Sequence, residues 1–109
     1  MKIAIMNCLN HNTRCAGAAC LTAMNKRIRS FECYKDTELE LVAMGRCNGC
    51  EAGMDAGMQE KLERLVQEGA EVVHFGICTK NKEGAECPLI SRSAEYLEQH
   101  GVKVVRGTH

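Results

Sequence analysis

Two cysteines separated by two residues follow an apolar run near the middle of the chain. The run covers residues 39–45, and Cys47 and Cys50 come directly after it, with Gly49 between them. A Cys-x-x-Cys pair can supply two sulfur ligands to one metal ion, and it also occurs as a redox-active dithiol. Gly49 permits the tight backbone that two ligands on one ion require. The pair by itself leaves metal binding and thiol chemistry open.

The chain contains eight cysteines in 109 residues, and this number has to be explained. A small secreted domain would use them as disulfides, but the first ten residues resemble a strand rather than a signal segment, and the rest carries enough regular pattern for a core. We therefore expect a reduced, cytoplasmic chain. Its cysteines would serve as metal ligands, as catalytic or redox thiols, or as inert core residues.

The balanced charge and the short apolar segments indicate which kinds of partner the protein can have. The 14 Lys and Arg residues balance the 14 Asp and Glu residues, so neither nucleic acid nor an anionic membrane is indicated. No apolar stretch approaches the roughly 18 residues of a membrane span. We expect one domain over residues 1–109 whose partner is small: a metal ion or cluster, a small molecule, or a redox partner.

Strand and helix patterns alternate along the chain. Apolar runs or period-two alternation predict strands over residues 2–7, 37–45, 70–78 and 102–109. Apolar residues at spacings of three and four predict helices over residues 16–31, 54–69 and 88–101. Asp55 and Pro88 suit the starts of the second and third helices, and Gly69 suits the end of the second.

Helices between strands indicate right-handed crossovers and a parallel sheet. The more apolar first and third strands belong in the centre, and the alternating second and fourth belong at the edges. The prediction is an α/β three-layer sandwich around a four-stranded parallel sheet of order 2-1-3-4, similar to flavodoxin-like or Rossmann-like folds.

In such a sheet all carboxyl ends lie along one edge, where open sheets bind ligands. The predicted strands and the loops after them bring sulfur and imidazole groups to this carboxyl edge. The first-choice metal ligands are Cys8, Cys47, Cys50, Cys78 and Cys87, and the second choices are Cys15, Cys20 and His109. Helix starts at the same edge should lower the thiol pKa values. Thiolate groups favour zinc or an iron–sulfur cluster.

Other uses of these residues remain open. In the alternative enzyme interpretation, a thiol-dependent oxidoreductase or transferase would use Cys47 as nucleophile and Cys50 as resolving thiol. Cys20 could equally be helix packing, and His74 could equally be a core histidine. Cys33 is expected to lie off the edge as a half-buried thiol.

Several motifs in one order resemble the CGGC domain proteins of prokaryotes, a group described as metal-binding domains. The resemblance rests on CAGAAC at 15–20, FECY at 31–34, RCNGC at 46–50, VVHFGIC at 72–78, Cys87-Pro88 and GTH at 107–109. It implies zinc or iron–sulfur binding through cysteine and histidine, and it supplies no assigned reaction. With such a metal group, we expect a sensor, a carrier or a redox module. Asn48 stands where the naming motif has glycine. Asparagine tolerates a positive φ, so the turn should survive with an amide beside the thiols.

Overall fold

Four parallel strands form the centre of the molecule. The computed structural model describes residues 1–109 and pairs the strands in the order β2-β1-β3-β4. The strands are β1 (Lys2–Asn7), β2 (Glu40–Arg46), β3 (Val72–Phe75) and β4 (Lys103–Arg106). The helices are α1 (Ala18–Lys26), α2 (Ala56–Gln67) and α3 (Pro88–Gln99). The predicted α/β class and strand order are confirmed, and the sheet is open.

The two faces of the sheet carry different helices. Ala4 and Met6 of β1 pack with buried residues of α2 and α3, whereas Ile3 and Ile5 pack with α1. Successive side chains of a strand point to opposite faces, so β1 contributes to both layers of the core. The chain runs from β1 outward to β2 and then back across to β3, and right-handed crossovers therefore place α1 opposite α2 and α3.

The second and third helices begin where the sequence predicts. The Asp55 carboxylate caps α2 by accepting a hydrogen bond from the Met58 amide at 2.8 Å, and Pro88 is the first residue of α3. Gly69 follows α2 in the left-handed region, with φ of 79°. None of the helices has the length and apolar character needed to cross a membrane.

The single helix predicted over residues 16–31 is wrong in its second half. Arg27 adopts a left-handed φ of 55°, which ends α1 at Lys26, and Arg29–Tyr34 form a short 3-10 helix. The Arg27 guanidinium donates to the carbonyls of Tyr34 at 3.1 Å and Thr37 at 3.2 Å, and these bonds hold the break in place. Of the apolar residues whose spacing predicted one buried face, Met24 and Phe31 are buried, Leu21 is half-buried and Ile28, next to the break, is 41% exposed.

The third strand also ends earlier than predicted, at Phe75 rather than Cys78. Gly76 leaves the strand, and Ile77–Thr79 form a 3-10 turn that carries Cys78 beyond the sheet. A Cβ atom at Gly76 would overlap the amide oxygen of Asn7, the last residue of β1. The packing of Asn7 against this position is the reason that the chain needs glycine there.

Candidate metal centre

Five cysteines line one cavity of about 370 Å³ at the carboxyl edge, beside the start of α3. They come from the loops after β1 and β2, from the 3-10 turn after β3, and from the residue that precedes α3. They are the five first-choice residues, Cys8, Cys47, Cys50, Cys78 and Cys87. We call this space the five-cysteine cavity. The fold thus brings together side chains that are up to 79 positions apart in the sequence (87 minus 8).

The loop after β1 donates three hydrogen bonds to sulfur atoms of other segments. The Cys8 amide donates to Cys78 Sγ at 3.2 Å, and the Leu9 amide donates to Cys47 Sγ at 3.4 Å. The Asn10 side chain donates through Nδ2 to Cys50 Sγ at 3.5 Å. A hydrogen bond to the charged form of a group favours that form, and at Cys78 the Cys8 amide acts in this direction. Donors of this kind also tune metal-bound sulfur.

The two sulfurs of the Cys-x-x-Cys pair differ in accessibility. Cys47 is only 5% exposed and belongs to the core on the α2 and α3 side, whereas Cys50 is exposed. Reagents in solution therefore reach Cys50 first. This order would favour Cys50 as an attacking thiol, the reverse of the roles expected from the sequence.

Asn48 does not take the left-handed conformation that the sequence suggested. The residue with positive φ in this turn is Gly49, at 100°. The Asn48 amide contacts α2 and the residue that caps it rather than the thiols. It donates to Asp55 Oδ1 at 2.9 Å and accepts from Lys61 Nζ at 2.6 Å. Asn48 therefore ties the Cys-x-x-Cys loop to the start of α2.

The expected lowering of thiol pKa values is wrong at Cys78. Burial raises the pKa of the Cys78 thiol above its ordinary value, although the hydrogen bond from the Cys8 amide opposes this effect. The thiol is protonated at neutral pH and donates to Asn7 Oδ1 at 3.7 Å. Any metal that binds this sulfur must release its proton, so binding at Cys78 weakens as the pH falls.

A second cavity of about 300 Å³ contains the second-choice residues. Cys15, Cys20 and His109 line it together with His11, and we call it the histidine cavity. His11, Cys78 and Lys80 line both cavities.

Asn7 stands between the sulfurs of Cys78 and Cys20. It is 1% exposed, and its Oδ1 also accepts from Cys20 Sγ at 3.9 Å. The eight candidate ligands are therefore divided between two neighbouring spaces.

The remaining candidates lie away from both cavities. His74 is fully buried, donates from Nδ1 to the Gly107 carbonyl at 2.9 Å and accepts from the Tyr34 hydroxyl at Nε2 at 2.8 Å. Burial lowers its pKa, so the ring is a neutral core histidine with both nitrogens paired. Cys33 is exposed rather than half-buried, and its thiol donates to the Ser30 carbonyl at 3.8 Å.

Asn7 and Asn10 contact the candidate sulfurs but were not predicted from the sequence. The signal that could have identified Asn7 is a polar residue at the end of an otherwise buried apolar strand. Asn10 carries no comparable signal, because asparagine is common in loops for other reasons.

The donor chemistry of the five-cysteine cavity fits a thiophilic metal. Its one carboxylate, Glu86, is already engaged by Arg106 at 2.8 Å and by the Ser91 hydroxyl at 2.6 Å, which leaves sulfur as the dominant donor. Hard cations such as Mg²⁺ and Ca²⁺ prefer oxygen, whereas zinc and iron–sulfur clusters accept thiolates. No group of three or more Cys, His, Asp or Glu side chains is arranged closely enough to hold an ion. Binding would therefore require the loops to draw the ligands together.

Comparisons with known proteins agree with the motif pattern. A family model described as "CGGC domain" matches residues 2–109. An uncharacterized protein of Methanocaldococcus jannaschii is 35% identical over 117 residues, an alignment that covers 100% of this chain and 87% of that protein. No solved structure matches the chain.

Proposed function

Because the chain belongs to the CGGC domain family, a cysteine-rich family with a suggested metal-binding role, we propose that it binds a metal in the five-cysteine cavity. The bound group is zinc or an iron–sulfur cluster. The protein acts as a sensor, a carrier or a redox module in the cytoplasm, where a reducing environment keeps its eight free cysteines available as ligands.

The observation that carries this proposal is the set of three N–H···S hydrogen bonds from consecutive residues. Cys8, Leu9 and Asn10 direct their donors at sulfurs that come from three other positions in the chain. Inert core cysteines need no donors, because a thiol behaves as a small apolar group. Thiolates do need them, since an unpaired negative charge in a half-buried site is costly. The loop therefore supplies a donor to each of these three sulfurs once metal binding has displaced the thiol proton, and the thiolate is the form that binds metals.

Cys47, Cys50 and Cys78 are the ligands with the strongest support, because each sulfur accepts one of these bonds. Cys8 or Cys87 completes a set of four. Four thiolates close a tetrahedral zinc site or hold an iron–sulfur cluster. Bound zinc would crosslink the ends of three strands, and a cluster would add electron transfer. Reversible binding is favoured over a permanently closed structural site, because Cys50 is exposed and no three ligands are already assembled.

One observation favours the alternative of a thiol oxidoreductase or transferase. Cys50 is exposed next to a buried Cys47, as an attacking and a resolving thiol would be. Against it, α2 begins only at Ala56, several residues after Cys50. The effect of a helix N-terminus on a thiol is confined to the first turn, so it does not activate this pair.

The test is the metal content of untagged protein purified under nitrogen, with thiol titration and an absorption spectrum. Wild type is expected to carry zinc, or iron with sulfide and visible absorption. The double variant Cys8→Ser/Cys50→Ser removes the half-buried Cys8 and the exposed Cys50 of the first-choice set, and its metal content should fall well below that of wild type.

Cys33→Ser is the matched control, because Cys33 is an exposed cysteine outside both cavities. It should keep the wild-type metal content. Metal-free wild type that takes up neither zinc nor iron, and whose Cys50 reacts rapidly with alkylating reagents, would reject metal binding and favour the dithiol enzyme.

A further inference from the structure

We infer that the histidine cavity is a second, separate zinc site, formed by Cys20 and His109 together with Cys15 and His11. The inference rests on the proposed function in that it assumes a thiophilic metal-binding protein. It uses none of the five first-choice cysteines, so the two sites can be tested independently.

The separation of Cys20 and His109 already matches that of two ligands on one zinc ion. Zinc–sulfur and zinc–nitrogen bonds of about 2.3 and 2.05 Å at a tetrahedral angle place the two donor atoms about 3.6 Å apart. The structure places Cys20 Sγ 3.8 Å from His109 Nδ1. A shift of a few tenths of an ångström therefore suffices for this pair to bind.

Both of these residues are held in position by independent parts of the fold. Cys20 lies in the first turn of α1, is 3% exposed and packs in the core on the α1 side. His109 follows Thr108, which is fully buried and whose hydroxyl lies 3.1 Å from both Cys20 Sγ and His109 Nδ1. Upstream, the Gly107 carbonyl is held by His74. Preorganised ligands lose little entropy when a metal binds.

Cys15 and His11 supply the remaining ligands from the segment between β1 and α1. Both are exposed and line the same cavity, but no three ligand groups are close enough to hold an ion in this arrangement, so binding requires this segment to shift towards an ion held by Cys20 and His109. The resulting set of two cysteines and two histidines is one that tetrahedral zinc accepts. Asn12 in the same wall has a buried Nδ2 without a hydrogen-bond partner, and this donor is available to a metal-bound sulfur.

Asn7 keeps the two sites apart. Its buried oxygen accepts from Cys20 on one side and from Cys78 on the other, so Cys20 cannot approach the five-cysteine cavity without displacing the Asn7 amide, whereas Cys78 lines both cavities. Displacement is restricted because Asn7 packs directly against Gly76.

The experiment is equilibrium dialysis of the metal-stripped full chain against zinc, with bound zinc counted per chain. Wild type is expected to bind about two ions, one at each tetrahedral ligand set. His109→Gln and Cys20→Ser should each bind about one, as should Cys8→Ser/Cys50→Ser, which keeps only the histidine-cavity ligands complete. His100→Gln is the matched control, because His100 is exposed but stacks on Tyr96 and lines neither cavity. It should bind as wild type does.

Several outcomes would overturn the inference. One ion in wild type and in His109→Gln, lost only in Cys8→Ser/Cys50→Ser, would eliminate the second site and leave the proposed function intact. One ion in wild type, lost in both kinds of variant, would mean a single site that spans the cavities. If wild type binds no zinc, the second site is rejected. If wild type also takes up no iron, the proposed function is rejected as well. His109 is exposed, so His109→Gln tests the site even if Cys20→Ser fails to fold.

Discussion

Gly76→Ala should destabilise the protein by crowding the wall between the two cavities. Gly76 has φ of −62° and ψ of 157°, a conformation that alanine adopts freely, so the effect does not come from backbone strain. It comes from the added methyl group, which would overlap Asn7 Oδ1 and lie 3.3 Å from both Asn7 Cγ and Cys78 Sγ.

The surroundings offer the methyl group little room. Asn7 is 1% exposed, and its carbonyl accepts from the Cys47 amide at 3.1 Å, so its backbone is fixed. The side chain must rotate, and its contacts with Cys20 and Cys78 are then lost. Overpacking a dense interior costs about 1–3 kcal/mol. Because about 1.4 kcal/mol is a tenfold change in an equilibrium constant, the unfolded fraction should rise by roughly 5- to 150-fold relative to a glycine-to-alanine change that adds no overpacking.

Urea unfolding followed by circular dichroism measures this cost, and Gly45→Ala is the matched control. A methyl group at Gly45 would lie 3.1 Å from Met6 Sδ, the end of a flexible side chain that can move. Replacing glycine also stabilises by about 0.4–1 kcal/mol through the unfolded chain, so Gly45→Ala should change stability little. If Gly76→Ala unfolds at the same urea concentration as wild type and Gly45→Ala, the packed wall between the cavities does not exist.

Three further changes test other contacts. Burial lowers the His74 pKa, so below about pH 6.5 the histidine of the unfolded chain is protonated while that of the folded chain stays neutral. The free energy of unfolding of wild type, measured with urea, should therefore fall as the pH drops below that value, and it should fall less steeply in His74→Gln. Equal pH dependence in the two proteins would contradict this. Asp55→Ala should lower the free energy of unfolding by about 1 kcal/mol because α2 loses its cap, and Asp55→Ser, which can cap the helix, should restore most of it. Equal urea midpoints for Asp55→Ala and wild type would mean that α2 does not need the cap. Asn48→Gly removes the bonds to Asp55 and Lys61, so alkylation of Cys50 should speed up several-fold; an unchanged rate would mean that Asn48 does not restrain the loop.

Much of the fold could be predicted because its signals are local or follow from handedness. Strand β1 was predicted with its observed bounds, and the contrast between buried β1 and β3 and the half-exposed edge strands set the order 2-1-3-4. The break at Arg27 could not be predicted, since the guanidinium of this left-handed arginine is held by carbonyls on both sides of the break, those of Met24, Tyr34 and Thr37. The early end of β3 likewise depends on Asn7, which is 69 positions before Gly76 (76 minus 7).

The positions of the cysteines at the carboxyl edge could be predicted, but the environment of each sulfur could not. Strand ends determine which residues reach the edge. Burial and donors determine what each sulfur does there, and both come from residues distant in sequence. The raised pKa of Cys78 is an example, because burial in the folded chain outweighs the amide donor from Cys8.

The division of the candidate ligands between two cavities follows from the same rules that predict the sheet. Residues 3, 5 and 7 of β1 alternate with residues 4 and 6, so Asn7 belongs to the α1 face, whereas Cys8 follows the end of the strand and lines the cavity at the start of α3. The reversal of strand order at β1 places α1, with Cys20, opposite α3, which Cys87 precedes. Thiols attached to opposite faces can share one ion only beyond the end of the sheet, where Cys78 lines both cavities. The pleat of β1 thus divides what the sequence suggests is one ring of cysteines into two sets of candidate ligands, one beside α1 and one beside the start of α3.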